Sequence, residues 1–118
     1  MTPLRCVGWW EQEGYGRQQM QELRLSFAGG KVTGAGLDIV GPFQFDGILE
    51  GSRITLLKQY IEKHQIEYCG ESIGEGAYSG DWSCYGHIGG KWLIGVERLA
   101  DAIPDFAVDA RDFPGRGC

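Results

Sequence analysis

Side chains alternate between apolar and polar along most of this chain, and glycine-rich turn sequences cut the alternation at short, regular intervals. A period of two puts successive side chains on opposite faces of an extended strand, whereas a helix needs a period near 3.6. "QELRLSF" sets Leu23, Leu25 and Phe27 on one face and Glu22, Arg24 and Ser26 on the other. The turn "AGGK" follows, then "VTGAGLDIV", "GP", "FQFDGILE", "GS" and "RITLLKQYI". A turn around "EKHQ" leads to "IEYCGES", "IGEG", "AYSGDWSCY", "HIGG" and "KWLIGVERL". With "RCVGWWEQ" in front, the pattern predicts about eight short strands in hairpin order.

The glycines fit that pattern and no other. There are 20 in 118 residues, scattered among apolar positions, so linker and collagen readings fail. Gly34 and Gly36 do not open a dinucleotide-binding loop: the third glycine of G-x-G-x-x-G is out of place, and Pro42 blocks a helix start. A tight hairpin at "AGGK" sets Phe27 opposite Val32, Leu25 opposite Gly34 and Leu23 opposite Gly36. A turn at "GP" sets Val40 opposite Phe43, Asp38 opposite Phe45 and Gly36 opposite Gly47. A turn at "GS" sets Leu49 opposite Ile54, Phe45 opposite Lys58 and Phe43 opposite Tyr60. Glycine facing a large ring is what the inside of a tightly curved sheet requires, and closure removes the unpaired edges of so long a sheet. The expected fold is all-β: an eight-stranded antiparallel up-and-down barrel over residues 1–100. A short irregular or partly helical tail over residues 101–118 docks on it.

Charge and cysteine usage narrow the function. A net charge of −5 disfavours a nucleic-acid or anionic-membrane surface, and no apolar run is long enough to span a bilayer. The start, "MTPLRCVGWWEQ", lacks a signal-peptide profile, so the expectation is a cytoplasmic protein with reduced thiols. Cys6, Cys69, Cys84 and Cys118 are widely spaced, with no CxxC or HxxxH, so no metal or other cofactor is expected. A three-residue loop from Lys63 to Gln65 would put Ile66, Tyr68 and Gly70 inside. Cys69 and Cys84 would then fall on neighbouring strands but out of register for a bridge.

The inner face collects Trp10, Phe27, Phe43, Phe45, Tyr60, Tyr68, Tyr78, Trp82 and Trp92. Two charges, Asp38 and Lys58, break its apolar run beside Phe45. An unpaired charge out of water is costly, so each needs the other or a ligand. Two readings follow: a buried structural ion pair, or polar anchors in an aromatic cavity, with Asp38, Lys58, Phe45, Tyr60, Tyr68, Trp82 and Trp92 as ligand-binding residues. No catalytic set emerges. His64 and His87 fall in turns, Ser79 and Ser83 lack a G-x-S-x-G context, and Glu71 and Glu75 read as surface charges. The chain is therefore expected not to be an enzyme.

On the outer face, Ala35, Leu37, Ile39, Ile48, Leu57 and Ile61 make an apolar patch that water seldom covers alone. Either the tail or a second copy of the chain should cover it, a homo-oligomer docking through Leu37, Ile39, Leu57 and Ile61.

"GWW" in the first strand, "VTGAG" in the third, "YSGDW" in the seventh and "KWLI" in the eighth resemble the avidin and streptavidin family, and more distantly the lipocalin-like calycins. They cover the chain from Cys6 to Glu97. "GAGLD", "KQY" and "YCG" are also similar to glycine-rich barrel domains of unassigned function. The resemblance implies the barrel. It implies no biotin site, because Gly36 stands where avidins place a tyrosine and "EQEGYGRQQ" offers no Asn or Ser. Two functions are left as expectations: a small amphipathic ligand held in an aromatic interior, or a non-catalytic interaction or oligomerisation module with a packed barrel.

Overall fold

The computed structural model of the chain describes residues 3–97. The tail expected over residues 101–118 and its docking lie outside the described residues, as do the last positions of the expected 1–100 unit. Eight strands follow in chain order: β1 (Leu4–Gln12), β2 (Gly16–Ala28), β3 (Lys31–Leu37), β4 (Pro42–Glu50), β5 (Arg53–Tyr60), β6 (Gln65–Gly74), β7 (Ala77–Cys84) and β8 (Ile88–Val96). Each pairs antiparallel with the next, and β1 pairs with β8, so the sheet closes on itself as the expected meander barrel. Among the described residues no helix is long and apolar enough to cross a membrane.

Period two decides which side chains fill the barrel. Trp10, Leu25, Val32, Phe43, Phe45, Ile54, Leu56, Tyr60, Tyr68, Trp82, Trp92 and Ile94 belong to one buried cluster. Every ring expected on the inner face is there, with Phe27 and Tyr78 half-buried and stacked at 6.0 Å. The β2–β3 turn is Gly29–Gly30, with φ of 59° and 85°, the two-residue hairpin conformation in which glycine carries no steric penalty.

Three register expectations need correction, and each has a local cause. A bulge in β2 separates Gln21↔Leu37 from Arg24↔Ala35, with Glu22 at φ 52°, so Leu23 does not pair with Gly36. Between β3 and β4 the pairs are Val32↔Gly47, Gly34↔Phe45 and Gly36↔Phe43, a displacement of β4 relative to the "GP" expectation. The turn is earlier: Asp38 and Gly41 exchange backbone hydrogen bonds of 3.1 and 3.0 Å, and Asp38 Oδ1 accepts from the Val40 N–H at 2.9 Å. That side chain-to-backbone bond is an aspartate turn, which displaces the tighter Gly-Pro alternative. Between β5 and β6 the loop is Ile61–Lys63, not Lys63–Gln65, because Tyr60 N–H donates to the His64 carbonyl and Glu62 takes φ 58°. Both displacements are by an even number of residues, so the side chains of β4 and β6 keep their faces, whereas the one-residue bulge in β2 reverses the alternation and turns Met20 inward with Leu23 and Leu25. Ile66, Tyr68 and Gly70 are buried as expected. The β7–β8 loop is Tyr85–His87, ahead of "HIGG", since Cys84 pairs with Ile88.

Of the outer residues, Ile39 is 75 % exposed, Ile48 53 %, Ile61 42 % and Leu57 37 %. Ala35 is exposed and Leu37 half-buried. Cys6 and Cys84 are free thiols. Cys69 is not a free thiol, which corrects the expectation of reduced cysteines throughout.

Candidate functional site

The two charges that interrupt the inner face meet. Asp38 enters from the β3–β4 loop and Lys58 from β5, and both side chains are fully out of solvent. Lys58 Nζ donates to Asp38 Oδ2 at 2.7 Å and to the Tyr68 hydroxyl at 3.1 Å. The same carboxylate oxygen accepts from the Tyr60 hydroxyl at 2.7 Å and from Trp10 Nε1 at 3.1 Å. With Oδ1 taken by the Val40 N–H, both carboxylate oxygens are satisfied by protein groups.

Rings enclose what hydrogen bonds do not. Lys58 Nζ lies 4.3 Å from the Phe43 ring centroid, 4.8 Å from Tyr60, 5.3 Å from Tyr68 and 5.5 Å from Trp10. An ammonium over ring faces is held by their quadrupoles, more strongly once water is removed. The cage is itself packed: Phe43 meets Phe45 at 5.2 Å, Phe45 meets Tyr68 at 5.4 Å, and Tyr68 meets Trp92 at 5.2 Å. Trp92 Nε1 donates to the Asp81 carbonyl at 3.0 Å, and Trp82 Nε1 to the Glu11 carbonyl at 2.9 Å.

Of the seven side chains singled out from sequence, Asp38, Lys58, Tyr60 and Tyr68 form one hydrogen-bonded cluster, and Phe45 and Trp92 pack around it. Trp82 stands apart, edge-on to Trp10 at 5.7 Å. Asp38 does not sit across from Phe45; Gly34 does. Sequence reasoning missed Trp10 as a donor to the carboxylate and Val40 as its backbone partner. A period of two counted along "CVGWWEQ" placed Trp10 inward, although its neighbour Trp9 is also buried, against Leu93 in a separate cluster. His64 tilts against Tyr60 at 5.2 Å, and His87 is exposed in the β7–β8 loop.

The electrostatics follow from this enclosure. Burial alone would raise the Asp38 pKa, but the Lys58 charge with hydrogen bonds from Lys58, Tyr60 and Val40 outweighs it, and the carboxyl lies below its ordinary value. Burial pushes the Lys58 ammonium down to about 8, with Asp38 pulling the other way. The Tyr60 and Tyr68 phenols are raised by burial, then by their charged and phenolic neighbours. Burial also pushes the Cys6 thiol up to about 11.

Stability should therefore depend on pH with a definite shape. Above pH 8 the folded state sheds the Lys58 proton while the unfolded chain keeps it until 10.5, so stability rises with pH there. From pH 9 the unfolded Cys6 thiol ionises while the folded one does not, which opposes the rise. From pH 10 Tyr60 and Tyr68 act in the same sense as Cys6 and stability falls. The Asp38 contribution is present above 3.8 and is lost as pH drops through the depressed folded value. The unfolding free energy from urea titrations should gain about 1 kcal/mol between pH 8 and 9, plateau, and decline past pH 10, with the midpoints following. A midpoint that falls steadily from pH 8 would contradict the assignment.

No protein-family model matches the chain, and no curated protein matches it.

Proposed function

We propose that the protein is a non-catalytic interaction module that pairs with a second copy of its own chain through the outer face of β2–β5. The observation that carries this reading is the contrast between the two sides of the barrel wall. Inside, the charged anchors expected to hold a ligand are satisfied by protein groups and caged by packed rings. Outside, a concavity of about 650 Å³ lies over β2–β5, with Arg24, Ala35, Gln44, Asp46, Leu57 and Gln59 among its walls.

A second copy suits this surface for a stated reason. A two-fold contact places one patch against itself, so the patch must carry both halves of each complementary pair. Here Ala35 on β3 and Leu57 on β5 stand on either side of Gln44 and Asp46 on β4, with Arg24 beside Ala35, so one concavity carries apolar carbon, both signs of charge and side-chain amides. Exposed Ile48 and Ile61 extend its apolar area. A rigid barrel with a solid core serves such docking, because little conformational entropy is lost on association.

Light scattering should give twice the chain mass for the wild type. Leu57→Asp, on a side chain already 37 % exposed, should weaken the dimer at least tenfold with little change in melting temperature. A wild type that stays monomeric on concentration, with Leu57→Asp indistinguishable from it, would remove the reading.

A further inference from the structure

The loops β1–β2, β3–β4, β5–β6 and β7–β8 gather at one end of the barrel, and between them the interior opens into a pocket of about 100 Å³. Its walls come from every part of that end: Trp10 from β1, Val40 from the β3–β4 loop, Tyr60 and His64 from around the β5–β6 loop, Trp82 and Ile88 from β7 and β8. Gln12, Ile66 and Cys84 complete it.

The polar atoms of the aromatic walls are turned away from this space. Trp10 Nε1 and the Tyr60 hydroxyl are both given to Asp38 Oδ2, and Trp82 Nε1 to the Glu11 carbonyl. The Cys84 thiol is directed at the Gln65 carbonyl, 3.7 Å away. The pocket therefore offers ring faces, ring edges and aliphatic carbon, with polar groups supplied by Gln12 and His64. Charge is absent from its lining: the ion pair lies beneath the rings and is neutralised within itself.

The walls are held in place before any ligand arrives. Trp10 and Trp82 meet edge to face at 85°. Lys63 Nζ donates to the Val40 carbonyl at 3.0 Å, and Ile61 N–H to the Pro42 carbonyl at 3.0 Å, so the β3–β4 and β5–β6 loops are tied together. A preformed apolar space flanked by rings binds with little ordering cost. Its size sets the ligand class. A closed apolar cavity of ~150 Å³ holds one benzene, so this smaller, open-ended pocket takes one ring inserted edge-first with its substituent outside.

We propose that this end of the barrel binds a small neutral aromatic molecule. The ring lies against the faces and edges that Trp10, Tyr60 and Trp82 present to the pocket, and a single polar substituent points out past Ile88 toward Gln12 or His64. The inference is independent of pairing through the outer face, which uses other residues and another readout.

The test is a nuclear magnetic resonance titration with phenol and benzyl alcohol. Saturable shifts are expected at the indole N–H groups of Trp10 and Trp82 and at the amides of Val40 and Ile88, with a Kd of about 1 mM. Ile88 is 48 % exposed at the rim, so Ile88→Trp can fill the opening without touching the core and should weaken binding at least tenfold. Val40→Phe fills it from the opposite loop with the same expected loss, should Ile88→Trp disturb the hairpin. Leu57→Asp, on the outer face, should leave the probe affinity unchanged. Shifts that do not saturate, shifts centred on Leu57 and its neighbours, or undiminished binding in both filled variants would each overturn the proposal.

Discussion

Asp38→Asn should lower folding stability by about 3–5 kcal/mol, the loss expected when one member of a fully buried ion pair is removed. Asparagine keeps the shape and can still accept from the Val40 N–H, so the β3–β4 turn survives. What it removes is the charge facing Lys58 Nζ at 2.7 Å, together with the Oδ2 acceptor that the Tyr60 hydroxyl and Trp10 Nε1 share. The ammonium is then caged by rings with no counter-charge, and the folded state relieves this by holding Lys58 neutral. The variant should consequently gain stability with rising pH from well below pH 8, where the wild type does not. Adding Lys58→Met to the same chain should recover most of the loss, because an uncharged pair of similar volume in a packed core is often as stable as the ion pair. Urea unfolding of the wild type, both single variants and the double variant closes the cycle. An Asp38→Asn protein within about 1 kcal/mol of the wild type would mean that the carboxylate does not compensate the lysine.

The strand order and the inward set were legible because alternation is a local property: reading "QELRLSF" or "FQFDGILE" needs no knowledge of what lies opposite. Register is not local. It depends on where each turn closes, and at Asp38 the deciding contact is a side-chain oxygen on a backbone N–H two residues ahead. At Glu22 and Glu62 non-glycine residues take positive φ, so no glycine announces the β2 bulge or the β5–β6 turn. Beyond β2 these errors left the faces intact, which is why Asp38 and Lys58 were found together although the strand offset bringing Asp38 to Phe45 was wrong. The donors that complete their network were hidden for a different reason. Trp10, Tyr60 and Tyr68 look like ordinary core rings in sequence, and their polar atoms acquire a role only through contacts 10 to 28 residues away in the chain. The same applies to the barrel mouth, where strand ends and loop residues far apart in sequence, from Trp10 to Ile88, line one pocket.

Glycine carries the other large expected effect, at a position the sequence did not single out. Gly80 on β7 pairs with Gly70 on β6 and with Trp92 on β8. A Cβ placed on Gly80 would fall against the Cys69 carbonyl oxygen, and one on Gly70 would fall against the Ser79 carbonyl and 2.8 Å from Cζ2 of Trp92. The two bare backbones let β6 and β7 coil sharply enough for the largest fully buried side chain of the barrel, Trp92, to lie across them. Its indole N–H donates to carbonyls on both strands, at Cys69 and Asp81, so the ring cannot retreat without losing those bonds. Gly80→Ala must therefore move backbone, not merely a side chain, and should cost about 3 kcal/mol or more, the upper end for overpacking a core. Gly51→Asn is the matched control. It lies in the β4–β5 turn at φ 60° with open space around its Cα, a conformation asparagine tolerates, and the expected cost is below about 1 kcal/mol. Equal melting temperatures for the two variants would show that the barrel wall between β6 and β7 yields to a methyl group, and that curvature at Gly70 and Gly80 is not what seats Trp92.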